Sequence, residues 1–215
     1  MGFERFSPVE RRIDVAGLTL SIWRPPDMES LIDLQAFADD ERIPYWADVW
    51  ESAIVLAEEL AALDGWGRTL LELGCGLGLP ALVAAKAGFA VTATDYESAA
   101  LEGVRYNAAR NGLGPLVTRE IDWRNPPADL PRHDMVVAAD VLYEPHHAAA
   151  LAAVIARTLR PGGLALVADP CRQHAAAFAP AARAAGLVVE KQRARRPRQA
   201  TGGPAIEIHK VRFPG

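Results

Sequence analysis

Cysteine is scarce in this chain: Cys75 and Cys171 are its only two, too few for a disulfide framework, so a reducing interior is the expected setting. No uninterrupted apolar run approaches the length that spans a bilayer, and residues 1–8 lack the apolar stretch of a secretion signal. A cytoplasmic protein without membrane contact is the expectation. Neither sign of charge dominates, and a net charge of −4 gives no general reason to expect nucleic-acid binding. No metal site is expected either, because Cys171 and His174 make at most two ligands. Half the residues are hydrophobic and 23% are charged, the balance of an ordinary globular domain with a sizeable core.

What is present is organised around Thr69-Leu70-Leu71-Glu72-Leu73-Gly74-Cys75-Gly76-Leu77-Gly78-Leu79-Pro80. The apolar run reads as a buried strand, the alternating glycines as a tight turn, and residues 79–87 as a helix. Such a turn lets a nucleotide-like ligand approach the backbone. Residues 89–94 read as the next strand and end on Asp95, whose carboxylate can take two ribose hydroxyls. A dinucleotide fingerprint would need a third glycine where Leu79 stands, and Glu72 is a poor neighbour for a pyrophosphate. S-adenosylmethionine brings a sulfonium and an ammonium instead, beside which an acid is tolerable. A tight turn without a ligand is the plainer reading of the same residues.

The rest of the chain alternates. Residues 12–15 and 18–23 read as a hairpin about Gly17, and 28–37 as a helix that Asp27 can cap. A helix through about Leu63 follows Pro44-Tyr45-Trp46-Ala47-Asp48-Val49-Trp50-Glu51-Ser52-Ala53. Its entrance is rich in aromatics, either plain core or, with Trp50, a cover over a cofactor. Beyond Asp95 come a helix over 97–111, a strand over 115–121 ending at Asp122-Trp123, and a buried strand over 134–140. Then follow a helix over 145–159, a turn at Arg160-Pro161-Gly162-Gly163, a strand over 164–168, a helix over 175–185 and strands over 187–192 and 205–213. This alternation implies a mostly parallel sheet with helices on both faces, and ligands bind beyond the carboxyl ends of such strands. Gly74, Asp95, Trp123 and Asp140 all fall at those ends.

Ala138-Ala139-Asp140-Val141-Leu142-Tyr143-Glu144-Pro145 sets an acid and a tyrosine just past the central strand. Asp140 and Tyr143 can orient an amine acceptor by hydrogen bonds; alternatively Asp140 caps the next helix and Tyr143 packs. His146 and His147 read as solvated. Lys191, Arg193, Arg195, Arg196 and Arg198 read as a solvated hairpin loop, or as a contact for an acidic patch on a protein substrate.

E-L-G-C-G-L-G, V-W-E-S-A (49–53), Asp95, Asp122-Trp123 and A-D-V-L-Y (139–143) together resemble one branch of the class I S-adenosylmethionine-dependent methyltransferases. It is the Asp-x-x-Tyr branch, mostly protein lysine methyltransferases and sometimes labelled nicotinamide-N-methyltransferase-like. The resemblance implies a Rossmann-like α/β three-layer sandwich with a seven-stranded, mostly parallel sheet and an antiparallel C-terminal hairpin. It places a small extension over 1–43 and the methyltransferase domain over 44–215. By the same resemblance Trp50, Glu72, Gly74, Cys75, Gly76, Gly78, Asp95, Tyr96, Asp122, Trp123 and Ala139 are candidate cofactor contacts. Asp140 and Tyr143 are the candidate catalytic pair. The implied reaction moves a methyl group from S-adenosylmethionine to an amino group, lysine of a protein substrate first. A small-molecule N-methyltransferase and a catalytically silent cofactor-binding module are the alternatives. The sequence leaves the oligomeric state open.

Overall fold

The computed structural model describes residues 2–31, 43–191, 194–198 and 202–215. Its centre is a seven-stranded sheet of order β5-β4-β3-β6-β7-β9-β8. The strands are β3 (Thr69–Leu73), β4 (Ala90–Asp95), β5 (Val117–Glu120), β6 (His133–Ala139), β7 (Leu159–Asp169), β8 (Val188–Lys191) and β9 (Glu207–Arg212). The five strands from β3 to β7 run parallel, and β9 lies antiparallel between β7 and β8. The helices are α1 (Glu51–Leu60), α2 (Leu79–Lys86), α3 (Ser98–Arg110), α4 (His147–Thr158) and α5 (Phe178–Ala184). The expected α/β sandwich with its antiparallel C-terminal pair is the fold observed.

The apolar run of β6 is buried on both faces, and its two-residue period divides the core. Met135 and Val137 join Leu70, Val91 and Ile208 under α1, α2 and α3. Val136 and Ala138 join Leu71, Leu73 and Val211 under α4 and α5. Because every side chain of such a strand meets a helix layer, the sequence there does not alternate with polar residues. Among the described residues no helix is long and apolar enough to cross a membrane.

Three local expectations change. The predicted turn at Arg160-Pro161-Gly162-Gly163 is drawn into β7, whose register against β6 jumps from His133–Leu159 to Met135–Leu164. Gly162 takes φ +78, and a Cβ on Gly163 would stand 2.9 Å from the Asp134 carbonyl oxygen, so these two positions of the bulge call for glycine. The helix from 175 begins as a short 3-10 turn, Ala175–Ala177, before α5. The helix expected over 28–37 lies mostly outside the described residues; Asp27 accepts the Glu29 N–H at 2.9 Å at the start of a 3-10 turn.

The basic run is solvated only in part: the side chains of Lys191 and Arg198 are exposed, while Arg195 is docked. Arg195 binds the buried Glu58 at 3.0 Å and Glu59 at 2.8 Å, and the Arg198 N–H donates to Glu58 at 2.8 Å. Lys191 pairs with Glu207 at 2.8 Å. These contacts strap the segment between β8 and β9 across α1. Arg193 lies outside the described residues.

The N-terminal hairpin, β1 (Val9–Val15) and β2 (Leu18–Arg24), docks on α3 through two asparagines one helical turn apart. Asn107 accepts the Trp23 N–H at 2.7 Å and donates to the carbonyls of Trp23 and Leu77 at 3.2 and 3.1 Å. Asn111 accepts the Ser21 N–H at 3.0 Å and donates to the Ser21 carbonyl at 2.8 Å. Alternate backbone groups on the open edge of β2 are thereby satisfied without another strand. Asn107 is fully buried. Replacing it with Ala leaves three backbone groups without this partner, that of Leu77 in a buried bond and the two of Trp23 part-buried, at about 1–3 kcal/mol for a buried group before relaxation. Asn107→Ala is expected to lose about 3 kcal/mol in urea unfolding; a loss within the error of the measurement refutes the asparagine latch.

Candidate active site

The carboxyl ends of β3, β4 and β6 open on one cavity of about 510 Å³, within the range of small-ligand sites. Its floor is the glycine turn. Gly74 and Gly76 have φ of +70 and +49, a conformation L side chains rarely adopt. A Cβ on Gly74 would meet Val141 at 2.8 Å, and one on Gly76 would meet the Trp46 carbonyl oxygen at 3.3 Å. The turn is held from β4: the Cys75 N–H donates to the Thr94 carbonyl at 2.9 Å, and the Gly76 N–H donates to Asp95 at 2.9 Å. The other Asp95 oxygen accepts the Glu97 N–H at 3.0 Å. Burial outweighs these bonds and pushes the Asp95 carboxyl up to about 6.

Glu72 stands 1% exposed at the end of β3. One oxygen takes the Ala81 N–H in the first turn of α2, while Oε2 has no partner. Burial raises its carboxyl well above the ordinary range, with the Asp95 charge adding to the effect. Burial and the same two acids push the Cys75 thiol up as well, which suits packing rather than nucleophilic chemistry.

Aromatic rings line the cavity as well. The ring of Tyr143 lies 5.0 Å from Tyr45 and 4.7 Å from His147; Trp50 lies 5.9 Å from Tyr45, and Trp123 5.7 Å from His147. Trp50 donates its indole N–H to the Tyr45 carbonyl at 2.9 Å. Burial raises the Tyr143 phenol far above its usual range, so it stays a hydroxyl donor. Asp140 follows β6 with φ 60 and donates its N–H to the Ala168 carbonyl at 2.9 Å. Asp and Asn tolerate that left-handed region better than most residues. Its carboxylate receives Arg172 Nε at 2.5 Å.

The cavity wall gathers Trp50, Glu72, Gly74, Cys75, Gly76, Gly78, Asp95, Tyr96, Asp122, Trp123, Ala139, Asp140 and Tyr143. Asp140 does not cap the next helix: α4 starts seven residues later, behind His146, which makes no side-chain cap. His147 is not a solvated histidine. It is half-buried on the wall with Nδ1 2.8 Å from the Val141 carbonyl oxygen, and burial lowers its pKa. Of the early tryptophans, Trp46 and Trp50 line the cavity, while Trp23 packs on Tyr106 of α3. Tyr45 and Arg172 were invisible to spacing arguments, since only the folded chain sets them beside Tyr143 and Asp140.

The cavity suits S-adenosylmethionine on three observations: a glycine cradle that a Cβ would fill, a buried carboxylate at the end of β4, and the unpartnered Glu72 oxygen on the wall.

Comparison with known proteins agrees. The lysine methyltransferase family model matches residues 33–177. Ribosomal protein L11 methyltransferase of Azotobacter vinelandii is 41% identical over 109 residues, 47% of this chain and 34% of that one. Histone-arginine methyltransferase METTL23 of Homo sapiens is 34% identical over 109 residues, 45% of this chain and 55% of that one. Protein N-lysine methyltransferase METTL21A of Mus musculus is 35% identical over 119 residues, 51% of this chain and 54% of that one. The matched stretch thus spans from about a third to just over half of the curated relatives' length. Among solved structures, a 16S rRNA methyltransferase of T. Thermophilus in complex with AdoMet and guanosine shares the fold with a TM-score of 0.68. It is 16% identical and is matched over 96% of this chain and 51% of its own. With the family model covering most of its length, the chain belongs to the lysine methyltransferase family.

Proposed function

We propose that this protein transfers a methyl group from S-adenosylmethionine to an amino group, a lysine side chain of a protein substrate. The observation that carries the reading is one cavity lined both by the glycine turn with Asp95 and by aromatic rings with Asp140 and Tyr143. Methylating relatives named for L11 protein, histone arginine and protein lysine support a protein acceptor. In this reading residues 44–215 form the catalytic unit with 1–43 as an extension, and two free cysteines suit the cytoplasm.

Bound S-adenosylmethionine would supply a methyl group on a sulfonium, open to displacement by a neutral amine. The chain's own part is alignment and exclusion of water. Gly74, Cys75, Gly76 and Gly78 line the path of the amino-acid portion, with Glu72 behind them. Asp95 takes the ribose, and Trp50, Tyr96, Asp122, Trp123 and Ala139 enclose the rest. Asp140 accepts an N–H of the incoming amine, and the Tyr143 hydroxyl fixes it from a second side. The aromatic rings hold the alkyl stem and tolerate its charge.

The acceptor class is tested with labelled S-adenosylmethionine and cell lysate. Label is expected in protein, released as methyl-lysine on hydrolysis; label confined to small metabolites overturns the protein acceptor.

Asp95 gives a pH test. A ribose hydroxyl donates to the ionised carboxylate, so the ligand favours the deprotonated form of a group that titrates near about 6 when free. Affinity for S-adenosylhomocysteine is therefore full above that pH and falls below it, by up to about tenfold per unit. Calorimetry between pH 5 and 8 reads this, with Asp95→Asn expected to be weaker and flat. A flat wild-type profile removes Asp95 from the ribose.

Asp140→Asn keeps the size but loses the charge. Turnover is expected to fall by about 10²-fold, as for a reacting group displaced by ~1 Å, with cofactor affinity nearly unchanged. Tyr143→Phe is expected to lower turnover in the same direction. Wild-type turnover in Asp140→Asn moves the acceptor site elsewhere.

A further inference from the structure

Arg172 belongs to the loop after β7 and is not among the residues lining the cavity, yet it touches two that are. Its Nε donates to Asp140 at 2.5 Å, and its guanidinium carbon lies 5.7 Å from the centre of the Trp50 ring. The loop is anchored: the Arg172 N–H donates to Asp169 Oδ1 at 2.7 Å, and Asp169 is 1% exposed with Oδ2 unpartnered. The Asp140 side chain is 5% exposed and that of Arg172 is 33% exposed. The guanidinium thus reaches a carboxylate of the cavity wall without itself forming part of that wall.

We propose that Arg172 is a positioning residue that fixes Asp140 and neutralises its charge, so that the acceptor end binds an amine through hydrogen bonding without trapping it as an ammonium ion. The inference rests on the reading that Asp140 faces the acceptor. A bare carboxylate stabilises an ammonium partner and raises the amine's pKa, which removes the lone pair that attack on carbon requires. A carboxylate already paired with guanidinium keeps its remaining lone pairs as hydrogen-bond acceptors and has little net charge to offer. Arginine suits this task better than lysine, because its planar fork can hold the carboxylate and lie against an indole at once. Asp169 faces the same guanidinium as a second acid, so loss of Arg172 leaves two carboxyl groups uncompensated beside the cavity.

The arrangement makes an unusual demand: removing a cation that does not line the cavity should improve binding of a cation within it. The probe is n-butylammonium chloride, a bare lysine side-chain mimic, titrated by NMR into protein saturated with S-adenosylhomocysteine. Arg172→Gln is expected to bind the probe about tenfold more tightly than wild type, the effect of one uncompensated neighbouring charge. Arg172→Lys is expected to stay near wild type. Asp140→Asn placed on Arg172→Gln should abolish the gain, which separates Asp140 from Asp169. If Arg172→Gln does not fold, Arg172→Met keeps the packing of the stem and reads the same quantity. Equal or weaker binding in the charge-removed variant overturns the proposal, as does a gain that survives Asp140→Asn. The readout is an equilibrium and not turnover. Methyl-lysine formation without the gain defeats this inference alone, and the gain without methyl-lysine defeats only the proposed reaction.

Discussion

The glycine turn keeps its shape because a carboxylate from the neighbouring strand reaches over to hold it. Asp95 accepts the N–H of Gly76 with one oxygen and that of Glu97 with the other, tying the turn after β3 to the turn that starts α3. The Thr94 hydroxyl adds a bond to the Glu72 carbonyl at 2.6 Å one step further back. Everything at that end of the cavity depends on this cross-strand tie. An ionised carboxylate has about four lone-pair positions, so two remain for a ligand after the two backbone donors are served. The group that shapes the floor is thus free to bind upon it.

Holding an acid in so buried a place has an electrostatic cost, visible in the raised pKa values of Asp95 and Glu72. The fold tolerates it because the two acids respond differently. Burial drives Glu72 toward its protonated form, whereas Asp95 keeps enough backbone donors to ionise near neutrality. At the aromatic end the same problem is met by pairing, with Arg172 against Asp140. One cavity therefore holds its buried carboxylates by two means, backbone hydrogen bonds at Asp95 and an ion pair at Asp140.

Much of the architecture was legible before any coordinates. The strands of the parallel sheet are apolar because they are covered on both faces, and their acids stand where the chain leaves the core, so Asp95, Asp122 and Asp140 announced the strand ends. Local turn chemistry misled at Arg160-Pro161-Gly162-Gly163, where pairing with β6 absorbs residues that alone would reverse the chain. Composition misled at the basic run, because the partner of Arg195 is an acid buried 137 residues away on α1. His147 reads as solvated for a similar reason, since its neighbour Trp123 comes from a distant segment of the chain. Contacts that join distant segments leave no period in the sequence.

The asparagine latch on the edge of β2 has a consequence for how the molecule opens. Edge strands ordinarily exchange their outward amides quickly, but those of Ser21 and Trp23 are closed by side chains of α3. Leu20 and Ile22 are buried in the same apolar cluster as Val104 and Ala108 of that helix. The hairpin and α3 therefore belong to one cooperative unit, whose amides share an opening free energy. A chain cut at Pro44 would bare that face of α3.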